Sequence, residues 1–218
     1  GKHIEKVEGY TRILAEEVAK TLPEYKLTLH DVDLIASASV LHDIGKIMVP
    51  DSVLLKPGKL TPEEFEIIKK HSINGAQILD RAPENWGEEF VTYSKQICLS
   101  HHEKWDGRGY PYGLAGDDIP ISAQIVSIAD CFDALSTDRV YKKAYPPKTA
   151  LEMILDGDCG VFSPKLLECL KNVVDKFYEL AESSKTIIEN NEKENITYLN
   201  THYYGGIKKY QWLAIPLA

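Results

Sequence analysis

Apolar residues recur every three to four positions along most of the chain, a spacing typical of helices that bury one face. The first such segment carries Ile4, Val7 and Leu14, and no proline interrupts it before Pro23. The pattern therefore predicts a first helix that ends near Pro23. His3 lies near the beginning of this helix.

A second helix is predicted from its terminal signals. Asp31 or Asp33 can act as its N-cap, and the apolar spacing continues to His42 and Asp43 before Gly45 stops it. This prediction places a histidine and an aspartate at the C-terminal end of a helix.

The next helix has a well-defined start. Thr61 is a suitable N-cap, Pro62 occupies the first helical position, and Glu64 completes a capping box. The helix that begins here is expected to carry His71.

Two further helices are predicted over residues 90–102 and 121–137. The segment between them, 106–120, contains too many glycines and prolines to be helical. Asp130 lies on the second of these helices.

The end of the chain changes character. Ser163 and Pro164 repeat the cap-then-proline signal, and the helix that follows is expected to close near Ala181. Beyond it, a polar run precedes residues rich in Tyr, Thr and Ile on either side of two glycines, which predicts a linker and a β-hairpin. We expect an all-α domain over residues 1–182, with residues 183–218 as an appendage.

Composition narrows the classes of function. The chain has 218 residues, 44% of them hydrophobic, and a formal net charge of −8. A chain of this length can bury one hydrophobic core. Because its net charge is negative, we do not expect it to bind nucleic acid through the phosphate backbone. The four cysteines are scattered, and no apolar run approaches the roughly 18 residues of a membrane span. These features favour a cytoplasmic protein with no DNA partner and no membrane span.

The residues whose side chains could bind a metal or take part in catalysis are histidines and aspartates, and several of them lie at predicted helix ends. They are His3, the doublet His42-Asp43, His71, the doublet His101-His102, and Asp130. Imidazole and carboxylate together suit Mn, Fe, Co, Ni or Zn, whereas a structural zinc site usually contains thiolates. Because neighbouring helical side chains diverge by about 100°, each doublet can serve two metals, or one metal and its supporting shell.

Taken singly, these histidines have ordinary structural interpretations. His30 and His202 have no metal-like context, and for His71 alone a core or surface role is the better explanation. The joint occurrence of two doublets and a following aspartate favours a metal site. Two ions about 3.5–4 Å apart can activate a bridging water and stabilise phosphoryl oxygens during phosphodiester hydrolysis.

The same residues lie in motifs that resemble a known family. The segment His42-Asp43-Ile44-Gly45-Lys46 is similar to the signature of the HD hydrolase superfamily. The run HHEKWDGRGYP over residues 101–111 resembles the extended motif of its HD-GYP branch. The similarity continues through the segments around Asp130 and over 139–144, and covers about residues 1–180.

This resemblance implies an HD-type helical bundle that hydrolyses cyclic di-GMP to pGpG and/or GMP by attack of a metal-bridged hydroxide. We expect two or three divalent ions, Fe or Mn first, with Zn, Ni and Co as alternatives. The implied metal ligands are His3, His42, Asp43, His71, His101, His102 and Asp130. Asp43 is expected to bridge two ions. Some family members hold a third ion with a carboxylate four residues before the first histidine, and that position precedes Gly1. We expect the sequence to be part of a longer protein.

The family match also implies contacts to the substrate. Lys46 is expected at the metal cluster, where it suits a phosphate oxygen. Arg139 and Lys142, in a locally basic segment of an acidic chain, are the implied clamps for the substrate phosphates. Tyr110 is implied either to stack on a guanine or to contact a partner protein, and both alternatives stay open.

Other motif residues have structural interpretations. Gly109 is expected to supply an unusual backbone angle, and Glu103 and Asp106 are expected to organise the loop or support the ligands. Ser163, where many relatives have aspartate, is expected to preserve a helix cap.

Two other functions stay open. The first is hydrolysis of another cyclic dinucleotide, such as cyclic GMP-AMP, because no motif identifies the second base. The second is a non-catalytic module that senses cyclic di-GMP or docks a signalling protein through the GYP loop. A homodimer is a further expectation.

Overall fold

The protein is described by a computed structural model that covers residues 2–138 and 143–183. The helices in these ranges are α1 (Lys2–Thr21), α2 (Leu29–Ser39), α3 (Asp51–Leu54), α4 (Pro62–Lys69), α5 (His71–Leu79), α6 (Glu88–Ser100), α7 (Ile121–Ser136), α8 (Pro147–Leu155) and α9 (Pro164–Asn172). Residues 174–183 are also helical. Within the described ranges there is no β-strand, only an isolated bridge between Asp106 and Ala115. The prediction of an all-α fold is confirmed.

The core forms where α1 packs against α2 and α7, with α6 and α8 completing it. Its centre is a trio of aromatic rings from three helical segments. The ring centroid of Tyr10 lies 5.1 Å from that of Phe132 and 4.8 Å from that of Phe177. All three side chains are fully buried. This apolar centre holds α1 and α7 side by side, so polar residues on both helices can face one site.

Two predicted helix boundaries are wrong. The N-cap of α2 is Thr28, whose hydroxyl accepts a hydrogen bond from the backbone N–H of Asp31. Asp31 is the third residue of the helix and completes a capping box with Thr28, while Asp33 lies further inside α2. The helix ends at Ser39 and does not continue to His42.

His42 and Asp43 therefore lie in a turn between α2 and a 3-10 helix, Ile44–Met48. The prediction for α4 has a similar outcome. Thr61 and Glu64 form the expected capping box, but α4 ends at Lys69 and His71 begins α5. In each case the predicted site residue comes just after a break in the helix, where the chain can change direction.

The C-terminal part agrees only in part with the sequence pattern. Ser163 occupies the N-cap position of α9, but its hydroxyl caps no backbone N–H and is buried without a hydrogen-bond partner among the described residues. The prediction that serine preserves the cap is wrong. Of the predicted appendage, 183–218, all but the first residue lies outside the described ranges, so the linker and hairpin stay a prediction.

Within the described ranges, every helix is too short or too polar to cross a lipid bilayer.

Candidate metal centre

The predicted ligand residues converge on one site although they come from five places in the fold. They are His3 of α1, His42 and Asp43 in the turn after α2, His71 at the start of α5, His101 and His102 just after α6, and Asp130 of α7. Their positions at helix ends and on neighbouring helix faces let the side chains meet without long loops.

The carboxylate of Asp43 is shared by two groups of potential ligands. One group joins it to His71, His101 and His102, and the other joins it to His3 and His42. Within each group the ligand atoms lie within 4.8 Å of one another. Such a shared carboxylate is the arrangement needed to bridge two cations.

The two oxygens of Asp43 face different groups. Oδ1 lies 3.3 Å from Nε2 of His71 and 3.9 Å from Nε2 of His101. Oδ2 lies 3.4 Å from Nε2 of His42. Asp130 joins the second group, because its Oδ1 is 3.8 Å from Nε2 of both His3 and His42.

Backbone carbonyl groups orient three of the histidine rings. For His42 and His71, Nδ1 lies 2.7 Å from the carbonyl oxygen three residues earlier, and for His101 the distance to the carbonyl four residues earlier is 2.8 Å. Since a carbonyl oxygen can only accept, Nδ1 donates, and Nε2 is the nitrogen left to bind a metal when it carries no proton. This is the support that metal-binding histidines usually have.

The Nε2 atoms make no hydrogen bond to the described part of the chain. Those of all five histidines in the cluster, His3, His42, His71, His101 and His102, are buried and have no hydrogen-bond partner among the described residues. Oδ1 of Asp43 is in the same condition. Buried polar atoms in natural proteins are rarely left unsatisfied. A set of imidazole and carboxylate donors in this condition fits divalent metal ions.

Burial and neighbouring charges shift the pKa values of the cluster's histidines in different directions. Burial lowers the pKa of His101 to about 3, with help from His42 and His71, and it lowers the pKa of His71 and His102 as well. These imidazoles are neutral, as ligands must be. Burial also disfavours charge on His42, but Asp43 and Asp130 outweigh it and raise its pKa to about 9. The carboxylates that hold a proton there would equally attract a metal cation.

Lys46 lies beside the shared carboxylate. Its side chain is 3% exposed, and its Nζ lies 2.6 Å from Oδ2 of Asp43. Burial alone would raise the pKa of Asp43, but the charges of Lys46 and His42 hold it well below its usual value. Asp43 is therefore ionised, and the ammonium group of Lys46 lies directly beside the carboxylate that the two groups share.

An aromatic wall closes one side of the cluster. The ring of Tyr110 stacks on His102 with centroids 4.7 Å apart and an interplanar angle of 26°. Phe65 meets Tyr110 edge-on at 6.2 Å, and Nζ of Lys69 lies 5.8 Å from the Tyr110 centroid. The Tyr110 hydroxyl is buried and has no hydrogen-bond partner among the described residues. The Tyr110 ring thus lies between Phe65 and His102 and forms part of the lining of the cluster.

The loop that carries Tyr110 is held by Glu103. One carboxylate oxygen of Glu103 accepts the backbone N–H of Tyr112 at 2.8 Å, and the other accepts that of Leu114 at 3.0 Å. Asp106 accepts the backbone N–H of Arg108 at 3.1 Å. Both acids therefore organise the loop, as their expected roles require.

The expected role of Gly109 is wrong. Gly109 is not among the residues with positive φ. Instead, a Cβ at this position would lie 2.4 Å from both Cα of Glu103 and the backbone nitrogen of Lys104. Glycine is needed because two backbone segments pack against each other here.

Asp133 was missed by the sequence reasoning. Its Oδ2 lies 2.5 Å from Nδ1 of His3, and the side chain is 1% exposed. The signal that could have found it is its position one helical turn after Asp130 on α7, which places both carboxylates on nearly the same face.

The other residues named from the sequence lie either outside the described ranges or away from the cluster. Arg139 and Lys142 lie outside the described ranges, as does His202. His30 is exposed, with its Nε2 3.2 Å from a carboxylate oxygen of Glu89. Its ordinary structural interpretation agrees with this position.

A helical fold with a buried histidine and aspartate cluster agrees with the predicted class of metal-dependent phosphohydrolase. A family model described as HD domain matches residues 2–160, and the chain belongs to the HD domain family. The HD-GYP resemblance drawn from the motifs is confirmed. HD-domain phosphohydrolases depend on metal, and the cluster described here can bind it.

The relatives are longer proteins. The chain is 43% identical over 188 residues to a cyclic di-GMP phosphodiesterase of Vibrio cholerae, which covers 85% of this chain and 38% of the relative. It is 42% identical over 167 residues to a cyclic di-GMP phosphodiesterase of Thermotoga maritima, covering 77% and 42%. A 3'3'-cGAMP-specific phosphodiesterase 2 of V. cholerae is 41% identical over 183 residues, covering 84% and 33%. The chain thus spans less than half the length of these relatives.

Proposed function

We propose that this domain is a metal-dependent phosphodiesterase that hydrolyses cyclic di-GMP to pGpG and/or GMP. The observation that carries the proposal is the position of Asp43, whose two oxygens face two separate groups of histidines. The names of two relatives, which are 43% and 42% identical, support the choice of substrate.

The proposed ligands are the seven predicted residues, His3, His42, Asp43, His71, His101, His102 and Asp130. Two or three divalent ions are proposed, with Fe or Mn as the first choice. Bound there, they would supply an activated water and neutralise charge on the phosphoryl oxygens.

The protein's own side chains would position the dinucleotide. Lys46, buried beside Asp43, provides a positive charge for a phosphate oxygen. The Tyr110 ring, which stacks on His102, is proposed either to stack on a guanine base or to contact a partner protein. Arg139 and Lys142 are proposed as phosphate clamps on the strength of the motif alone. A signalling partner at the GYP loop, a homodimer and a cytoplasmic location stay predictions.

Metal analysis paired with a hydrolysis assay tests this proposal. Protein purified without oxygen is loaded with Mn²⁺ or Fe²⁺ and incubated with cyclic di-GMP, and products are separated by chromatography. Two or more metals per chain and the appearance of pGpG or GMP are expected. A metal-replete protein that binds the nucleotide and leaves it intact would instead indicate a sensing module.

Asp43→Ala is the sharpest variant for the bridging role. Removing a carboxylate common to both ligand groups should remove bound metal and turnover together. His30→Ala is the matched control, because it removes an exposed histidine remote from the cluster. Full turnover by metal-replete Asp43→Ala protein would show that Asp43 does not bridge.

Arg139→Ala tests the clamp. A residue that only holds substrate phosphates should raise KM while metal content stays unchanged. If KM does not change, the clamp assignment is wrong.

Cyclic GMP-AMP is a second candidate substrate, because a relative named for it is 41% identical over 84% of this chain. Comparing kcat/KM for the two dinucleotides in one preparation decides between them. A preference for cyclic GMP-AMP of tenfold, or about 1.4 kcal/mol, would replace cyclic di-GMP as the proposed substrate.

A further inference from the structure

The buried carboxylate of Asp133 belongs to a network of polar contacts that ends at His3 of the cluster. Its Oδ2 lies 2.5 Å from Nδ1 of His3. Its Oδ1 accepts a hydrogen bond from the Thr137 hydroxyl at 2.8 Å, and Nζ of Lys6 lies 3.9 Å from the same oxygen. Lys6 also donates to the Thr137 hydroxyl at 3.0 Å. Each carboxylate oxygen thus has its own partners, which hold the group in one orientation.

This contact decides which nitrogen of His3 is available. The carboxylate oxygen is the acceptor in this contact, so His3 donates from Nδ1, and Nε2 is the nitrogen left to bind a metal. That Nε2 is buried without a hydrogen-bond partner among the described residues, 3.8 Å from Oδ1 of Asp130. The ring is therefore turned with its free nitrogen toward the proposed metal position.

His3 differs in this respect from three other histidines of the cluster. His42, His71 and His101 donate Nδ1 to a carbonyl oxygen of their own local backbone. His3 depends on a side chain 130 residues away on another helix. A charged acceptor forms a stronger bond than a carbonyl and makes the imidazole a better ligand.

We propose that Asp133 is a positioning residue for one half of the metal site. It fixes the tautomer and orientation of His3, and thereby sets the affinity of the half formed by His3, His42 and Asp43. The other half, with His71 and its neighbours, does not depend on it. This inference rests on the proposed metal-dependent function.

Asp133→Asn is the test variant, because the amide has the size of the carboxylate but its N–H can donate a hydrogen bond to an unprotonated Nδ1, which favours the tautomer with the proton on Nε2. Metal-free protein is titrated with Co²⁺ under anaerobic conditions, followed by absorption and by the magnetic coupling between neighbouring ions. Wild-type protein should bind two coupled ions tightly. In Asp133→Asn, one ion should bind about 10–100-fold more weakly, with the other unchanged and the coupling lost at limiting Co²⁺.

Two reference variants separate positioning from a general structural role. His3→Ala removes the ligand itself, so it should weaken the same ion. Thr137→Val removes a hydrogen bond from the far oxygen of Asp133 but leaves the contact with His3, so both ions should stay tight. Nitrogen NMR of metal-free wild-type protein reads the His3 tautomer without any mutation, and a proton on Nδ1 is expected.

Each outcome has one meaning. Two tight ions in Asp133→Asn, or a wild-type His3 protonated only on Nε2, would overturn the inference and leave the proposed function standing. Equal weakening of both ions in Asp133→Asn would also overturn it, because Asp133 would then act only as a tie between α1 and α7. A wild-type protein that binds fewer than two ions would overturn the proposed metal site itself.

Discussion

Replacing Gly45 with alanine tests how closely two backbone segments must pack to form the site. Gly45 lies in the 3-10 helix that follows Asp43, and a Cβ there would lie 2.0 Å from the carbonyl oxygen of His71 and 2.4 Å from the backbone nitrogen of Gly75. Real Cβ contacts are essentially never shorter than 3.0 Å. Both obstacles are backbone atoms of α5, so no change of rotamer can relieve them.

The cost follows from this geometry. Overpacking typically destabilises a protein by about 1–3 kcal/mol. Because backbone atoms cannot move aside as side chains can, we expect this clash to cost about 3 kcal/mol or more. For a domain of this size, that lowers Tm by about 6–12 °C. The same displacement moves His71 away from Asp43, so metal should bind about 10–100-fold more weakly, a loss comparable to that of a supporting residue.

Thermal unfolding followed by circular dichroism measures the first effect, and metal titration the second. Gly9→Ala is the matched control, because its added Cβ meets the end of the flexible Leu180 side chain at 2.7 Å, not backbone. Alanine also favours the interior of α1 by about 0.5–1 kcal/mol. A Gly45→Ala protein that melts within about 2 °C of wild type, less than the effect of 1 kcal/mol, and binds metal normally would refute the close packing.

Three other predictions are tested by thermal unfolding or by enzyme kinetics. Phe132→Ala removes a ring from the aromatic centre and should lower the free energy of unfolding by about 3–5 kcal/mol. Thr61→Ala removes the capping box of α4 and should lower it by about 1 kcal/mol. Equal losses of stability would contradict the assigned packing. Glu103→Ala leaves the backbone N–H groups of Tyr112 and Leu114 without their acceptor and should lower kcat/KM at unchanged metal content, so unchanged kinetics would show that the loop does not shape the site. Removing metal with a chelator should lower Tm, since metal at 100 times its Kd stabilises the folded state by about 2.7 kcal/mol; an unchanged Tm would argue against metal binding to the native cluster.

Local signals allowed much of the fold to be predicted. The capping box of Thr61 and Glu64 formed as expected, and the helix predicted over 121–137 is α7 (Ile121–Ser136), because caps and apolar spacing act within a few residues of the chain. The cap of α2 was misplaced because Thr28 and Asp31 are both good capping residues. Which of two such residues precedes the helix is settled by the backbone, not by residue type.

Packing decided what local signals could not. Gly109 was expected to need an unusual backbone angle, yet it is required by the approach of the backbone at Glu103. Asp133 lies in the motif segment around Asp130, but nothing in the sequence pointed to its contact with His3. Gly109 packs against a loop segment that folds back on it, and Asp133 contacts a residue 130 positions away in the sequence.

The sequence by itself determined the all-α class, most helix positions and the set of histidines and aspartates that can hold metal. Only the tertiary structure decided that the two oxygens of Asp43 face different histidines, and that Asp133 supports His3 across 130 residues. The physical reason is the distance along the chain over which each kind of interaction acts. Helix propensity and capping depend on neighbours along the chain, whereas the direction of each ligand depends on how α1, α5 and α7 pack around the common core.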